Sequence, residues 1–346
     1  ATDKNSHQTP HYGHFDGDGD LILVAPGLSA LEAVEVRDDD LLISIPFAID
    51  EPAEVAFEKV KRAKALLSSD SGSIELHDLL TSEVRRFLSI TTEDSFPTSG
   101  QFTKDEMLDR ISRYENAVAD LSLLIACIAH WGKTIHTSTM QKCIARSSDR
   151  LETRGGLRTW LELRWYPLIV ELYTAGIAAI DAQRYDNLAT LFYTQLPSSE
   201  YRNNNGTFIE AISNGLFELI RANTFKQIPG HEQHHTPLSE YLFKILQPRL
   251  DDTFFLGKNY ETAFDEFEVF FALTVADIRM AKNNSVWGPV GRFGWKHGPL
   301  NRIINDAKTQ KDSWPPFKAG MFGGDFERFD KVATEYLQLV GRLNWN

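Results

Sequence analysis

The chain has 346 residues, 42% of them hydrophobic and 11% aromatic, and a formal net charge of -12 at pH 7. Length and apolar content exclude a disordered chain and leave room for one large packed domain or two ordinary ones. The negative charge argues against general nucleic-acid binding, because a polyanion meets a repulsive mean field, although a local basic patch can still hold phosphate.

The chain opens Ala1-Thr2-Asp3-Lys4-Asn5, without an initiator Met or a signal-peptide core, and reads as a piece of a longer chain. Residues 1–20 are polar and rich in Gly, His and Asp, the pattern of a flexible lead. Leu21-Ile22-Leu23-Val24 and Leu41-Leu42-Ile43-Ser44-Ile45 are short apolar runs bounded by Asp, Pro and Gly, so residues 21–52 predict a small β-containing segment. From Ala53 the pattern turns helical, with expected helices over 53–68, 73–90, 103–131, 138–153, 157–183, 185–196, 207–225, 236–248, 259–282, 297–311 and 325–343. Thr103-Lys104-Asp105-Glu106 opens the third with a capping box, in which Thr103 takes an early backbone N–H and Glu106 reaches back. Its apolar residues Leu108, Ile111, Val118, Leu121, Leu124, Ile125 and Ile128 keep close to a 3.6-residue period. Pro97, Pro197, Pro229, Pro248 and Pro299 are expected in breaks between helices. Cys127 and Cys143 sit in helical apolar sequence and read as core residues of a cytoplasmic chain without disulfides. A polar, turn-rich stretch from Leu196 to Gly206 divides a helical region 53–198 from a second, 199–346. The expected class is mainly α: helical hairpins packed as a bundle or short irregular solenoid. No apolar run reaches the ~20 residues that span a bilayer, so no membrane partner is expected.

Motifs that suggest chemistry fail on context. His231-Glu232-Gln233-His234-His235 has the spacing of a zinc protease motif, which needs both histidines on one continuous helix. Pro229-Gly230 before it and Thr236-Pro237 after it forbid that helix, so Thr236 or Ser239 is expected to cap the next one. His231, His234 and His235 remain candidates for adventitious metal binding only. Asp16-Gly17-Asp18-Gly19-Asp20 starts like a calcium loop, but Leu21 and Gly27 occupy the positions that need Gly and a bidentate Glu. Trp131-Gly132-Lys133-Thr134 ends like a phosphate loop and reads as a helix C-cap. The acids Asp265, Glu266 and Glu268 read as a solvated helix face. No complete catalytic motif and no cofactor fingerprint is present, so an enzyme is not the favoured expectation.

Two surfaces are candidates for binding. Lys142, Arg146, Arg150 and Arg154 recur every fourth residue and would form a basic ridge on a helix, suited to an acidic partner or a nucleic-acid backbone, with Asp149 and Glu152 beside it for intrahelical pairing. The stretch from Arg279 to Arg302 contains no acid and interleaves Arg292, Lys296 and Arg302 with Trp287, Phe293 and Trp295. Aromatic faces among cations suit nucleotide stacking and phosphate pairing, or else plug a gap between helices.

The landmarks Tyr166-Pro167, Ala175-Gly176 with Tyr185, Pro229-Gly230-His231 with His235-Thr236-Pro237-Leu238-Ser239, Tyr260 with Phe264-Asp265-Glu266-Phe267-Glu268, Gly288-Pro289-Val290-Gly291-Arg292-Phe293 and Met321-Phe322-Gly323-Gly324 follow one another from about Tyr114 onward. In this order they resemble the helical C-terminal regions of bacterial multidomain proteins of the kind found behind AlbA-like, Schlafen-related DNA-binding domains. The resemblance spans about two-thirds of the chain and implies a helical tail without catalytic residues of its own. It implies as partner another domain of the parent chain or a separate protein. The leading expectation is a non-catalytic interaction or sensing region. The alternatives are a regulatory or processing protein that holds nucleic-acid phosphate through its basic and aromatic patches and, behind it, a metal-dependent hydrolase.

Overall fold

The computed structural model describes strands at residues 12–15 and 21–24, and then residues 51–151, 155–197, 206–296 and 298–343. The chain is mainly α-helical, and it divides into two compact units, residues 1–59 and 60–346. In the first, β1 (Tyr12–Phe15) pairs antiparallel with β2 (Leu21–Val24), Tyr12 opposite Val24. The expected strand at 41–45 lies outside the described residues.

The helices follow the apolar period closely. They are α1 (Glu51–Ser68), α2 (Ser73–Ile90), α3 (Lys104–Trp131), α4 (Thr137–Ser147), α5 (Arg158–Leu163), α6 (Tyr166–Asp181), α7 (Tyr185–Tyr193), α8 (Phe208–Arg221), α9 (Pro237–Phe254), α10 (Tyr260–Asn283), α11 (Phe293–Lys296), α12 (Gly298–Gln310), α13 (Pro315–Lys318) and α14 (Phe326–Gly341). Among the described residues none is long and apolar enough to cross a membrane. Thr103 caps α3 as its sequence requires, accepting the Glu106 N–H at 3.2 Å. Glu106 does not reach back; it turns forward to Arg110, 2.6 Å away. The reciprocal box forms instead at α8, where Thr207 and Glu210 bond each other's termini.

Three breaks differ from expectation, one of them at Pro299, which stands second in α12. The single helix expected over 157–183 is α5 and α6, parted at Arg164–Trp165, with Pro167 in the first turn of α6, where its missing N–H costs nothing. Pro248, expected in a break, lies inside α9. One hydrogen bond is lost there, but Leu242, Leu246 and Leu250 are all buried on the same face and hold the helix through.

In the second unit α6 is the central element. Every residue from Tyr166 to Ile180 is buried, which a helix apolar on all sides requires. It packs most extensively against α3 and next against α10, so helices from both sides of the 196–206 stretch share one core. Glu115 of α3 accepts hydrogen bonds from Tyr166 of α6 (2.6 Å) and Tyr241 of α9 (2.9 Å), tying three helices through one carboxyl. Arg328 of α14 grips Asp277 of α10 with two bonds of 2.6 Å. Both cysteines are buried and unbridged, their thiols pushed up to about 12 by burial.

The α6–α10 approach depends on Gly176. A Cβ built there would stand 2.0 Å from the ring of Phe267. Alanine normally favours a helix over glycine by about 1 kcal/mol; here Gly176→Ala is expected to reverse that sign and destabilise by about 1–3 kcal/mol through overpacking. Urea unfolding checks it, and a variant as stable as the parent would show that Phe267 can swing away.

Candidate functional site

The basic ridge is shorter than its spacing suggests. The α-helix carrying Lys142 and Arg146 ends at Ser147, and a 3-10 turn, Ser148–Leu151, takes over before Arg150. Lys142 is exposed, Arg146 pairs with Asp149 at 2.5 Å, and Arg154 lies outside the described residues. His231 to His235 form a turn, as the flanking prolines require, with the His231 and His234 rings stacked 5.2 Å apart. Among the described residues no group of three or more His, Cys, Asp or Glu side chains could hold a metal ion. Gly132 is the C-cap of α3.

The 287–302 stretch is folded against acids that its own sequence does not contain. Arg292 is 5% exposed. Its guanidinium lies over the Phe243 ring at 3.4 Å, bonds Glu261 at 3.0 Å, and has Glu240 and Asp265 at 3.7 and 3.8 Å. Lys296 bonds Glu261 and, at 2.9 Å, Asp265, while Arg302 bonds Glu266. Phe293 is fully buried, and the half-exposed Trp295 donates its indole N–H to Glu240 at 3.1 Å. These acids come from α9 and α10, so the cations of the stretch serve to seat it. Arg302 is the most exposed of the three.

What the seated loop encloses is a cavity of about 290 Å3. Its walls are Tyr173 of α6, Leu216, Phe217 and Ile220 of α8, the turn His235-Thr236 running into Pro237-Leu238-Ser239 of α9, Glu268 and Phe271 of α10, the loop Trp287 to Gly291, and Leu339 and Leu343 at the end of the chain. Two glycines let that loop lie directly on α10. A Cβ at Gly288 would stand 2.2 Å from the Ala272 carbonyl oxygen, and one at Gly291 would stand 2.1 Å from the Glu268 carboxyl, one helical turn earlier. Tyr336 of α14 closes the far side by donating to the Pro289 carbonyl at 3.1 Å. Trp287 meets Phe217 edge-on with ring centres 5.3 Å apart, and Arg279 covers it at 4.3 Å.

Glu268 is the one carboxyl in these mainly apolar walls. It is 2% exposed and accepts three hydrogen bonds: Oε1 from Ser239 (2.6 Å) and Tyr173 (3.0 Å), Oε2 from the Arg292 backbone N–H (2.9 Å). Burial outweighs those donors and pushes its carboxyl up to about 8, so at neutral pH it is largely protonated and can itself donate. Thr236, expected as a helix cap by its side chain, makes no such bond; its hydroxyl is buried in the cavity lining without a protein partner. Ser239 likewise does not cap α9 but holds Glu268.

Of these residues the sequence marked Trp287, the glycines of the loop, His235, and Thr236 and Ser239 as cap candidates, each for another reason. It missed Glu268, read as part of a solvated face, and Tyr173, Leu216 and Phe217, whose apolar spacing is indistinguishable from core. No protein-family model matches the chain, and comparison with curated proteins and with solved structures gives no match.

Proposed function

We propose that the chain is a non-catalytic sensing region that takes up a small, mainly apolar molecule in the cavity between α6, α8, α9, α10 and the 287–291 loop. One observation carries this reading: a preformed cavity of about 290 Å3 whose walls are apolar and aromatic except for His235 and a polar group of Glu268 with Ser239, Tyr173 and Thr236. A concave apolar pocket with a few placed polar groups is the general form of a small-molecule site. The loop that closes it is held by Arg292 and Tyr336, so occupancy can be felt at α9, α10 and α14 together. The partner that reads this state would be another domain of the parent chain or a separate protein, the arrangement implied by the helical regions this chain resembles.

The test is calorimetric titration with 2-phenylethanol, an uncharged probe of nine heavy atoms. Binding is expected at about 10 mM or tighter, since even ~0.3 kcal/mol per heavy atom gives roughly 2.7 kcal/mol over nine atoms. It should quench Trp287 fluorescence and raise the melting temperature. Val290→Trp, which fills the cavity from the loop side, is expected to abolish binding with an unchanged helical circular-dichroism spectrum. Absence of heat at saturating probe, or undiminished binding by the V290W protein, would remove the reading.

A further inference from the structure

We propose that the molecule this cavity is built for is a primary amine with an aromatic or otherwise apolar body, its ammonium group received by Glu268. The inference rests on the reading of the cavity as a ligand site and adds the chemical class of the ligand.

Three features of the lining point to it. First, the lining contains a carboxyl, one histidine (His235) and no lysine or arginine. The nearest guanidinium groups are engaged elsewhere: Arg292 lies on Phe243 among Glu240, Glu261 and Asp265, and Arg279 bonds Asn214 at 2.8 Å. A carboxylate or phosphate head group would therefore enter beside an acid with no lysine or arginine in the lining to offset it; of that lining Arg279 reaches only the Trp287 ring, and His235 is its one basic side chain. Second, the walls present Tyr173, Phe217, Phe271 and Trp287, whose ring faces attract a desolvated cation and suit an aromatic body equally well. Third, the head group has a prepared receptor. Oε2 of Glu268 has a single protein donor, the Arg292 N–H, and the Thr236 hydroxyl is buried and unpartnered within the same lining. An ammonium group has three N–H donors to divide between them. In volume the cavity matches about ten heavy atoms at ~30 Å3 each.

The proton count follows. Burial pushes Glu268 up to about 8, so near neutrality it enters the reaction as the acid and leaves it as the carboxylate facing an ammonium ion. One proton passes to solvent for each amine bound. Affinity should therefore fall by about tenfold per pH unit as pH is lowered below 8. The groups that face Glu268 are Tyr173 from α6, Ser239 in the first turn of α9, Tyr336 from α14, Tyr260 and Asp265 on its own helix, and Arg292 through its main chain, while His235, before α9, lines the same cavity. The three tyrosines are raised above their ordinary range by burial and stay neutral over this interval. His235 is controlled by repeating the profile with His235→Gln.

The experiment compares three probes of similar size on the whole chain: 2-phenylethylamine, 2-phenylethanol and 3-phenylpropanoate, by calorimetry at pH 6, 7 and 8.5. At pH 8.5 the amine is expected to bind roughly tenfold or more tighter than the other two. Its advantage should shrink toward pH 6 in the parent and in the H235Q protein alike. In Glu268→Gln the amine should fall to the level of the alcohol, which still binds. An amine no tighter than the alcohol, a carboxylate preferred over both, or a pH dependence that vanishes with H235Q would each overturn the inference while leaving the cavity a ligand site. Silence from all three probes would overturn both. Should the E268Q protein not fold, the probe series and pH profile of the parent decide.

Discussion

Replacing Arg292 by alanine is expected to lower the folding free energy by about 3–5 kcal/mol, the cost of stranding buried charge after one partner is removed. The guanidinium is covered by Phe243 and faces Glu240, Glu261 and Asp265. Without it, Lys296 alone remains to balance Glu261 and Asp265, and Asp265 is buried. Arg292→Lys should fall in between, because an ammonium group cannot lie flat on the Phe243 ring. Adding Asp265→Asn to the R292A protein should recover part of the loss, the signature of a coupled pair rather than of lost packing. By contrast, Arg302→Ala removes a half-exposed partner of Glu266 and is expected to cost no more than about 1 kcal/mol. Urea unfolding of the four variants measures all of this. If R292A and R302A prove equally mild, the charge cluster does not seat the loop. The effect should extend to the cavity, since the Arg292 main-chain N–H bonds both Ser239 and Glu268.

The helices were legible in the sequence because most have one buried face, and a buried face imposes a 3.6-residue period. α3 and α14 are read almost to the residue, and the exclusion of a helix through His231 to His235 by the flanking prolines is local chemistry that needs no tertiary information. Pro248 was misread for the opposite reason: a local rule predicts a break, and the buried leucines around it override the rule. The site was hidden by two further effects. The acids that hold Arg292 lie 27 to 52 positions away in sequence, on α9 and α10, so a stretch without acids could be read as a phosphate-binding surface as well as a plug between helices. And α10 has phenylalanines at 264, 267, 270 and 271, spread over more than one face. Its acids therefore point in different directions, Glu266 to Arg302, Asp265 to Arg292 and Lys296, Glu268 into the cavity, a difference that spacing alone does not reveal.

Stability is expected to decline as pH rises from about 4.5 to 8, and Glu171→Gln should remove part of that decline. Glu171 sits in the middle of α6, wholly buried, with one oxygen bonded to Ser147 at 3.2 Å and the other without a partner. Burial pushes its carboxyl up to about 8, as it does that of Glu268. Over the interval between the unfolded value and 8, the folded chain holds these two protons more tightly than the unfolded chain does. Each rise in pH therefore favours unfolding, by about 1.4 kcal/mol per unit and group at most, and the effect levels off above 8. Glu210 and Glu261, lowered mainly by Lys282 and Lys296, act in the other sense, but their contribution is lost only as pH falls toward and below the ordinary carboxylate range. Those windows do not overlap; within pH 5 to 8, among the described residues, only His130, lowered by burial, works against the decline, which belongs to the raised acids Glu171 and Glu268 with Glu115, Asp265 and Glu266. A glutamine at 171 keeps the shape and cannot ionise. The E171Q protein should match the parent near pH 5 and exceed it by a few kcal/mol at pH 9, read from urea midpoints at both. Parallel curves for the two proteins would mean that Glu171 is hydrated or reorients on ionising. Part of the share left in the E171Q protein belongs to Glu268 and the rest to Glu115, Asp265 and Glu266, also raised by burial; an amine bound in the cavity at pH 9 should recover the Glu268 part while 2-phenylethanol should not, which joins the pH dependence of the fold to the chemistry of its site.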